Sequence, residues 1–561
     1  MAGVIGSLLL SLGGMLRLGL AVAPPIQSPR LDLASFPLVQ SYDLGTIALS
    51  QPELDGADMP LALTGAIALP PGSASVPWVI VLHGRHAGCH FRPEGTSQWP
   101  CDPEPRFDLG FAYLAQAMAE AGYGVLIPNL NAAFSETYGA TAATRNELAD
   151  QRSGHIINAH LTRLAQAHRG NDPGFGLPLT GRVDPARLAM VGHSMGGGAA
   201  ALSTLQRVSD QDSVAAAAGF GSPSALVLVS PTRSYPIARR PDAYQLPDVP
   251  TAVIAGGCDR DIFDLSSLYY VETARQQTRT TAVLGILLPG ANHNYFNAAV
   301  AEDDYYRKAN NAPLCNPQRS RDRLSRVAQE NFLAQYTQAF LNAVWLGSEQ
   351  ATALAEVGMA ANRAAPARLF GLPVLTTLVS PQAQRHTLFQ ADDYPAASFT
   401  TGLTASFCLS LTDCQRSSRP YPHFPGWLTL MWDSLAERLT LPVDADVSAF
   451  DSLELRLAAD PDWIMLQDQP VLGVVLRDQQ GGAARVEILS TVPALTQFES
   501  DPTYGLDAAP LYPSALRIPL GQFYGVDLTA LASVELVFDQ VFQGKLHLAS
   551  VEFVEQSDFG F

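Results

Sequence analysis

Three short stretches carry residue types that together can perform nucleophilic acyl chemistry. "VGHSMGGG" sets Ser194 between Gly192 and Gly196 at the end of an apolar run. "IAGGCDRD" ends a second apolar run in Asp259 and Asp261, and "LLPGANHN" ends a third in His293. A serine hydroxyl is a weak nucleophile until a base takes its proton, and an imidazole oriented by a carboxylate is a suitable base. Serine, acid and histidine in that chain order suit a nucleophile on a tight strand-to-helix turn, with its partners on later strands. A bare G-x-S-x-G arises easily by chance in a chain with 44 glycines, so the surrounding elements decide its meaning.

Those elements are of the required kind. The run before Ser194 reads as a buried strand, and a helix is predicted to begin at Met195. The turn between them is so tight that Gly192 and Gly196 must be tiny, and it leaves the serine oxygen exposed above a helix N-terminus. Asp259 leaves its strand at the usual offset from Gly256 and is the preferred acid, with Asp261 as the alternative and Asp264 behind it. Of the 11 histidines, His293 alone sits just past a strand downstream of such an acid. The oxyanion donors are expected to be the backbone N–H groups of Met195 and Arg85, the latter in the turn His83-Gly84-Arg85-His86. His83 is expected to brace that turn. His83, His86 and His90 are irregularly spaced and lack a carboxylate cluster, so they do not read as a metal site. The chemistry needs no cofactor.

Stepping out from these residues, six continuously apolar runs alternate with helical stretches. The runs are "PWVIVLHG", "GYGVLIPNL", "RLAMVGHS", "ALVLVSPT", "PTAVIAGG" and "AVLGILLPG". Helices are predicted for "FDLGFAYLAQAMAEAG", "ATRNELADQRSGHIINAHLTRLAQAH" and "SRVAQENFLAQYTQAFLNAVW". Strands apolar on both faces, alternating with helices, specify a doubly wound, mostly parallel sheet over residues 35–350. A linker is expected at 351–373. From 374 to 561 apolar and polar residues alternate in short runs such as "GWLTLMW", "SLELRLA" and "GKLHLASVEFVE", the pattern of an antiparallel β-sandwich.

The bulk numbers agree with two domains and narrow the partners. The chain has 561 residues, 47% hydrophobic and 16% charged, with a net charge of -18. That acidity and the lack of a basic run argue against nucleic acid. Residues 1–25 are apolar and end in Ala21-Val22-Ala23, as a signal or anchor segment does, and an export signal is preferred because Arg17 breaks the run. The six cysteines group as Cys89 with Cys101, Cys258 with Cys315 and Cys408 with Cys414, without C-x-x-C spacing. Disulfides and an extracytoplasmic, secreted location follow as expectations.

Taken together, "HGRH", "GHSMGG", "GCDRD" and "GANHNYFN" resemble secreted bacterial α/β-hydrolases, closest to the cutinase-like and polyester-hydrolase esterases and lipases. The resemblance spans roughly residues 40–345. It implies a Ser194–His293–Asp259 triad, amide donors at Arg85 and Met195, and a Cys258–Cys315 bond. It also implies hydrolysis of carboxylic esters such as a lipid, a polyester or an acylated polysaccharide. Arg260 departs from it, because similar sequences tend to carry a small residue there. A binding or adhesion protein with a degenerate hydrolase domain is the rival, and peptidases and thioesterases share the machinery. The C-terminal region is similar to jelly-roll modules of the galactose- or carbohydrate-binding kind. Trp427, Trp432, Trp463, Tyr512 and Tyr524 could form its stacking face on a carbohydrate or polymer surface, or fill its core.

Overall fold

The computed structural model describes residues 31–49, 58–86, 99–100, 104–135, 145–209, 220–233, 241–305, 315–316, 320–345, 350–408, 426–461, 463, 465–466, 468–497 and 511–555. Its first eight strands are β1 (Val39–Leu49), β2 (Met59–Ala68), β3 (Val76–Leu82), β4 (Gly124–Pro128), β5 (Val183–His193), β6 (Ala225–Val229), β7 (Thr251–Gly256) and β8 (Val283–Leu288). The last six are the six apolar runs. They lie in the order β4-β3-β5-β6-β7-β8, all parallel. Strands β1 and β2, which the apolar pattern did not reveal, extend the sheet antiparallel beyond β4.

Helices cover both faces, which is why the central strands are apolar throughout. Val79, Val81, Val125 and Ile127 point into one core with α1 (Ala112–Glu120). Their neighbours Ile80, Leu82 and Leu126 point into the other, with α2 (Arg145–His168) and α3 (Met195–Ser209). α4 (Tyr269–Gln276) follows β7, and α5 (Arg326–Trp345) joins α1 on its face. The three predicted helices are present as α1, α2 and α5.

Two boundary expectations change. Leu375–Val379, grouped by its pattern with the sandwich, is instead a ninth strand, β9, paired antiparallel with β8. Its five residues are buried, and it covers what would otherwise be an open edge of the sheet. Residues 351–373 are not an open linker either, because Leu354, Val357 and Met359 pack into the same core as α5.

The remaining strands form two antiparallel sheets. One runs Thr404–Cys408, Trp427–Trp432, Gly544–Val554, Ser452–Ala459, Ser514–Pro519, with Arg385–Gln390 also paired to Gly544–Val554. The other runs Ser398–Phe399, Glu437–Pro442, Leu531–Phe538, Pro470–Asp478, Ala483–Leu489. Leu430, Leu455 and Phe553 of the first meet Leu439, Val474 and Leu536 of the second in one core. The chain is thus a doubly wound, mostly parallel α/β sheet followed by an all-β sandwich.

The outer face of the first sheet packs against the α/β domain. Trp427, Ala458, Tyr512 and Ala549 share a core with Tyr244, Tyr269 and Tyr270. Buried charges cross the same boundary: Arg456 pairs with Glu272, and Arg275 with Glu552 at 2.5 Å. This burial corrects the idea of a five-residue stacking face. Trp427 and Tyr512 are spent on the domain boundary, and Trp432 stacks on Phe538 at 4.4 Å and meets Trp463 edge-on at 5.2 Å. Of the five, Tyr524 alone is exposed, at 85%.

Cys258 and Cys315 form a disulfide. Cys408 is disulfide-bonded, but Cys89, Cys101 and Cys414 lie outside the described residues, as do His90 and residues 1–25. Among the described residues, no helix is long and apolar enough to cross a membrane.

Candidate active site

Ser194 stands between the end of β5 and the start of α3 with φ +57°, a left-handed conformation unusual for a side chain with a Cβ. The turn is held from several sides. The Ser194 N–H donates to Val229 O at 2.9 Å, and its carbonyl accepts from Gly197 N at 2.9 Å and Thr232 N at 3.1 Å. The flanking glycines are required by contact. A Cβ on Gly192 would lie 2.4 Å from Gly196 O, and one on Gly196 would lie 2.4 Å from Leu82 O. The end of β3 therefore presses directly on the elbow. Gly84 closes the approach, since a Cβ there would sit 2.6 Å from Ser194 Cβ.

The acid and the histidine come from the ends of β7 and β8. His293 Nδ1 donates to Asp259 Oδ2 at 2.8 Å, with both side chains 2% exposed. The other carboxylate oxygen accepts the N–H groups of Asp261 at 2.9 Å and Ile262 at 2.7 Å, which fixes its plane. Asp261 is 71% exposed and lies 3.6 Å from His293 Nε2, so it faces the opposite edge of the ring. Asp264 turns away and accepts Ser266 N at 3.0 Å. Burial opposes a charged His293, but the Asp259 charge and hydrogen bond outweigh it. With smaller help from Asp261 and Asp304 they push the imidazole up to about 9.

Two further histidines brace the site. His83 Nδ1 donates to Gly84 O at 2.8 Å and its Nε2 accepts Leu130 N–H at 2.8 Å. That pattern defines a neutral tautomer, consistent with the downward shift that burial imposes. His193, beside the serine, packs tilted against His293 with ring centroids 4.7 Å apart and donates from Nε2 to His293 O at 3.0 Å. Burial, then the neighbouring His293, hold His193 well below its ordinary value. The elbow is thus tied to the histidine loop through a neutral ring. Met195 is the first residue of α3, and Arg85 directly follows Gly84.

The sequence reading missed the acidic pair Asp303–Asp304. Asp303 accepts Asn292 Nδ2 at 2.8 Å and Arg323 Nη2 at 2.7 Å, anchoring the turn before His293. Asp304 accepts three backbone N–H groups, those of Arg260, His293 and Asn294, from the loops that carry Asp259 and His293. The available signal was "AEDDYY", carboxylates within the span that Cys258 and Cys315 close. Arg260, which departs from the pattern of the sequences the chain resembles, lays its guanidinium over the Tyr305 ring at 4.5 Å, so the larger residue is absorbed by packing.

Among solved structures the chain is similar to a sugar hydrolase from Lactococcus lactis, at 14% identity over 53% of this chain and 97% of that one, TM-score 0.31. It is also similar to a ferulic acid esterase from Streptomyces cinnamoneus, at 14% identity over 54% of this chain and 89% of that one, TM-score 0.32. A third is CtCBM11, at 9% identity over 31% of this chain and 97% of that one, TM-score 0.21. No family model and no curated protein matches the chain.

Proposed function

We propose that the protein is a serine hydrolase that cleaves carboxylic esters through an acyl-enzyme. The observation that carries the reading is the buried 2.8 Å bond from His293 Nδ1 to Asp259, at the sheet edge where Ser194 occupies its left-handed elbow. Neutral His293 takes the Ser194 proton on Nε2 as Oγ attacks the ester carbonyl. Asp259 holds the Nδ1–H tautomer and stabilises the imidazolium that forms. The N–H groups of Met195 and Arg85 receive the oxyanion. The tetrahedral adduct collapses, the ester C–O bond breaks, and the alcohol leaves with the proton from Nε2. Water then gives up a proton to His293 and attacks the acyl carbon, releasing the acid and restoring Ser194.

The Cys258–Cys315 bond supports an oxidising, extracytoplasmic site of action. The test is hydrolysis of p-nitrophenyl esters of graded chain length by the parent and by Ser194→Ala, with fluorophosphonate labelling of the serine. Parent turnover and labelling that vanish in folded S194A support the reading. Equal rates in both proteins would sink it, and so would a parent that neither turns over nor labels.

A further inference from the structure

We infer that Asp304 is a positioning residue for the triad, a carboxylate clamp that fixes the Asp259 loop and the His293 loop to each other. The inference rests on the ester-hydrolase reading of that site. Asp304 Oδ2 accepts Arg260 N at 2.8 Å and His293 N at 3.2 Å, while Oδ1 accepts Asn294 N at 3.1 Å. The first donor directly follows Asp259 and the second belongs to His293 itself. One side chain from a third segment therefore bonds the backbone beside both members of the acid–base pair.

The surroundings make that clamp rigid and charged. Asp303 is held by Asn292 and Arg323, Tyr305 lies under Arg260, and Tyr305 also packs with Cys258 and Cys315. The segment is thus fastened on both sides of Asp304. The groups whose charges act on His293 are Asp259, Asp261 and Asp304, and His193 packs tilted against its ring. Those acting on Asp304 are Asp259 and His293. Burial and then the Asp259 charge raise the Asp304 carboxyl to about 6. Ionised, it accepts all three amides and adds its field to the imidazolium. An uncharged amide in its place can offer one acceptor oxygen, so part of the clamp must open.

The experiment is an NMR titration of the intact protein that follows the His293 imidazole, the Asp304 carboxyl and the three amides. The Arg260, His293 and Asn294 amide resonances are expected to shift together with the Asp304 carboxyl. In Asp304→Asn the His293 midpoint falls by roughly half a pH unit or less, and ester kcat falls roughly tenfold with little change in KM. Amides that ignore the Asp304 titration overturn the inference, as does an unchanged His293 midpoint in a folded D304N. If D304N does not fold, the amide titration of the parent decides alone. A parent that cleaves no ester but shows these shifts would defeat the hydrolase reading and leave the clamp standing.

Discussion

The Asp261 carboxylate lies 3.6 Å from Nε2 of His293, the ring nitrogen opposite the one that Asp259 holds. That nitrogen must be unprotonated to take a proton from Ser194. Asp261 favours the protonated ring, in the same direction as Asp259 and Asp304, and the imidazole is held up at about 9. The active neutral form therefore grows as pH rises, and kcat/KM is expected to climb from neutral pH, reach half its plateau near pH 9 and level off above it. Asp261→Asn removes one stabilising charge from the imidazolium, so the rising limb moves to lower pH. Because Asp261 is 71% exposed its influence is screened, and a shift of about half a unit, about threefold in rate at pH 7, is expected. Superimposable pH–rate profiles for parent and variant would contradict this.

The contact between Gly196 and the end of β3 gives a second prediction. A methyl group at Gly196 would meet both Leu82 O and His83 O, at 2.4 and 2.5 Å. These are backbone atoms at the end of the buried central strand β3 and of the residue that follows it, and they cannot step aside. Gly196→Ala is expected to lower stability by about 1–3 kcal/mol, the cost of an overpacked core. It should also displace the first turn of α3, with a loss of roughly 100-fold in ester turnover. Denaturant unfolding and single-turnover acylation, measured together, check both parts.

What the sequence revealed and what it concealed follow from the range of each signal. Continuous apolar runs announce strands buried on both faces, so β3 to β8 were legible, and with them the loops that carry Ser194, Asp259 and His293. β1 was not, because this edge strand buries only Val39 and Tyr42 and carries no continuous apolar run. Leu375–Val379 looks the same whether it joins the hydrolase sheet or the sandwich, since a strand pattern does not name its partner. The fate of Trp427 was hidden likewise, because an aromatic residue fits a ligand face and a domain boundary equally well. Asp304 lay beyond local reading altogether. Its role arises only when the chain folds back, 11 residues after His293 and 44 after Arg260.

The Cys258–Cys315 bond makes the acid loop sensitive to reduction. It joins residues 57 apart, one of them adjacent to Asp259. Closing a loop of that length removes unfolded-state entropy worth about 4 kcal/mol in the chain-entropy picture. Replacing both cysteines by serine is expected to cost about that much and to reduce ester turnover as the Asp259 loop loosens. Denaturation midpoints of parent and variant, with the parent repeated in a phosphine reductant, measure the effect. A midpoint that does not move would assign the bond no stabilising role.

The join between the domains is built from charges with almost no solvent around them. Arg456, on the sandwich strand Ser452–Ala459, is 1% exposed, pairs with Glu272 of α4 and donates from Nε to Thr377 Oγ1 at 3.0 Å. Arg275 of the same helix reaches Glu552 and donates to Leu378 O at 2.8 Å. α4 directly follows the loop that carries Asp259, so the sandwich anchors an element of the α/β half next to that loop. Arg456→Met leaves Glu272 buried without its cation and is expected to cost about 3–5 kcal/mol. The double variant Arg456→Met with Glu272→Met removes both charges and should recover most of that loss, since apolar side chains of similar volume satisfy a buried site about as well as a salt bridge. Urea unfolding of the parent, both single variants and the double variant closes the cycle. Costs that simply add would show that the pair is not coupled, and that the sandwich is held by its apolar contacts alone.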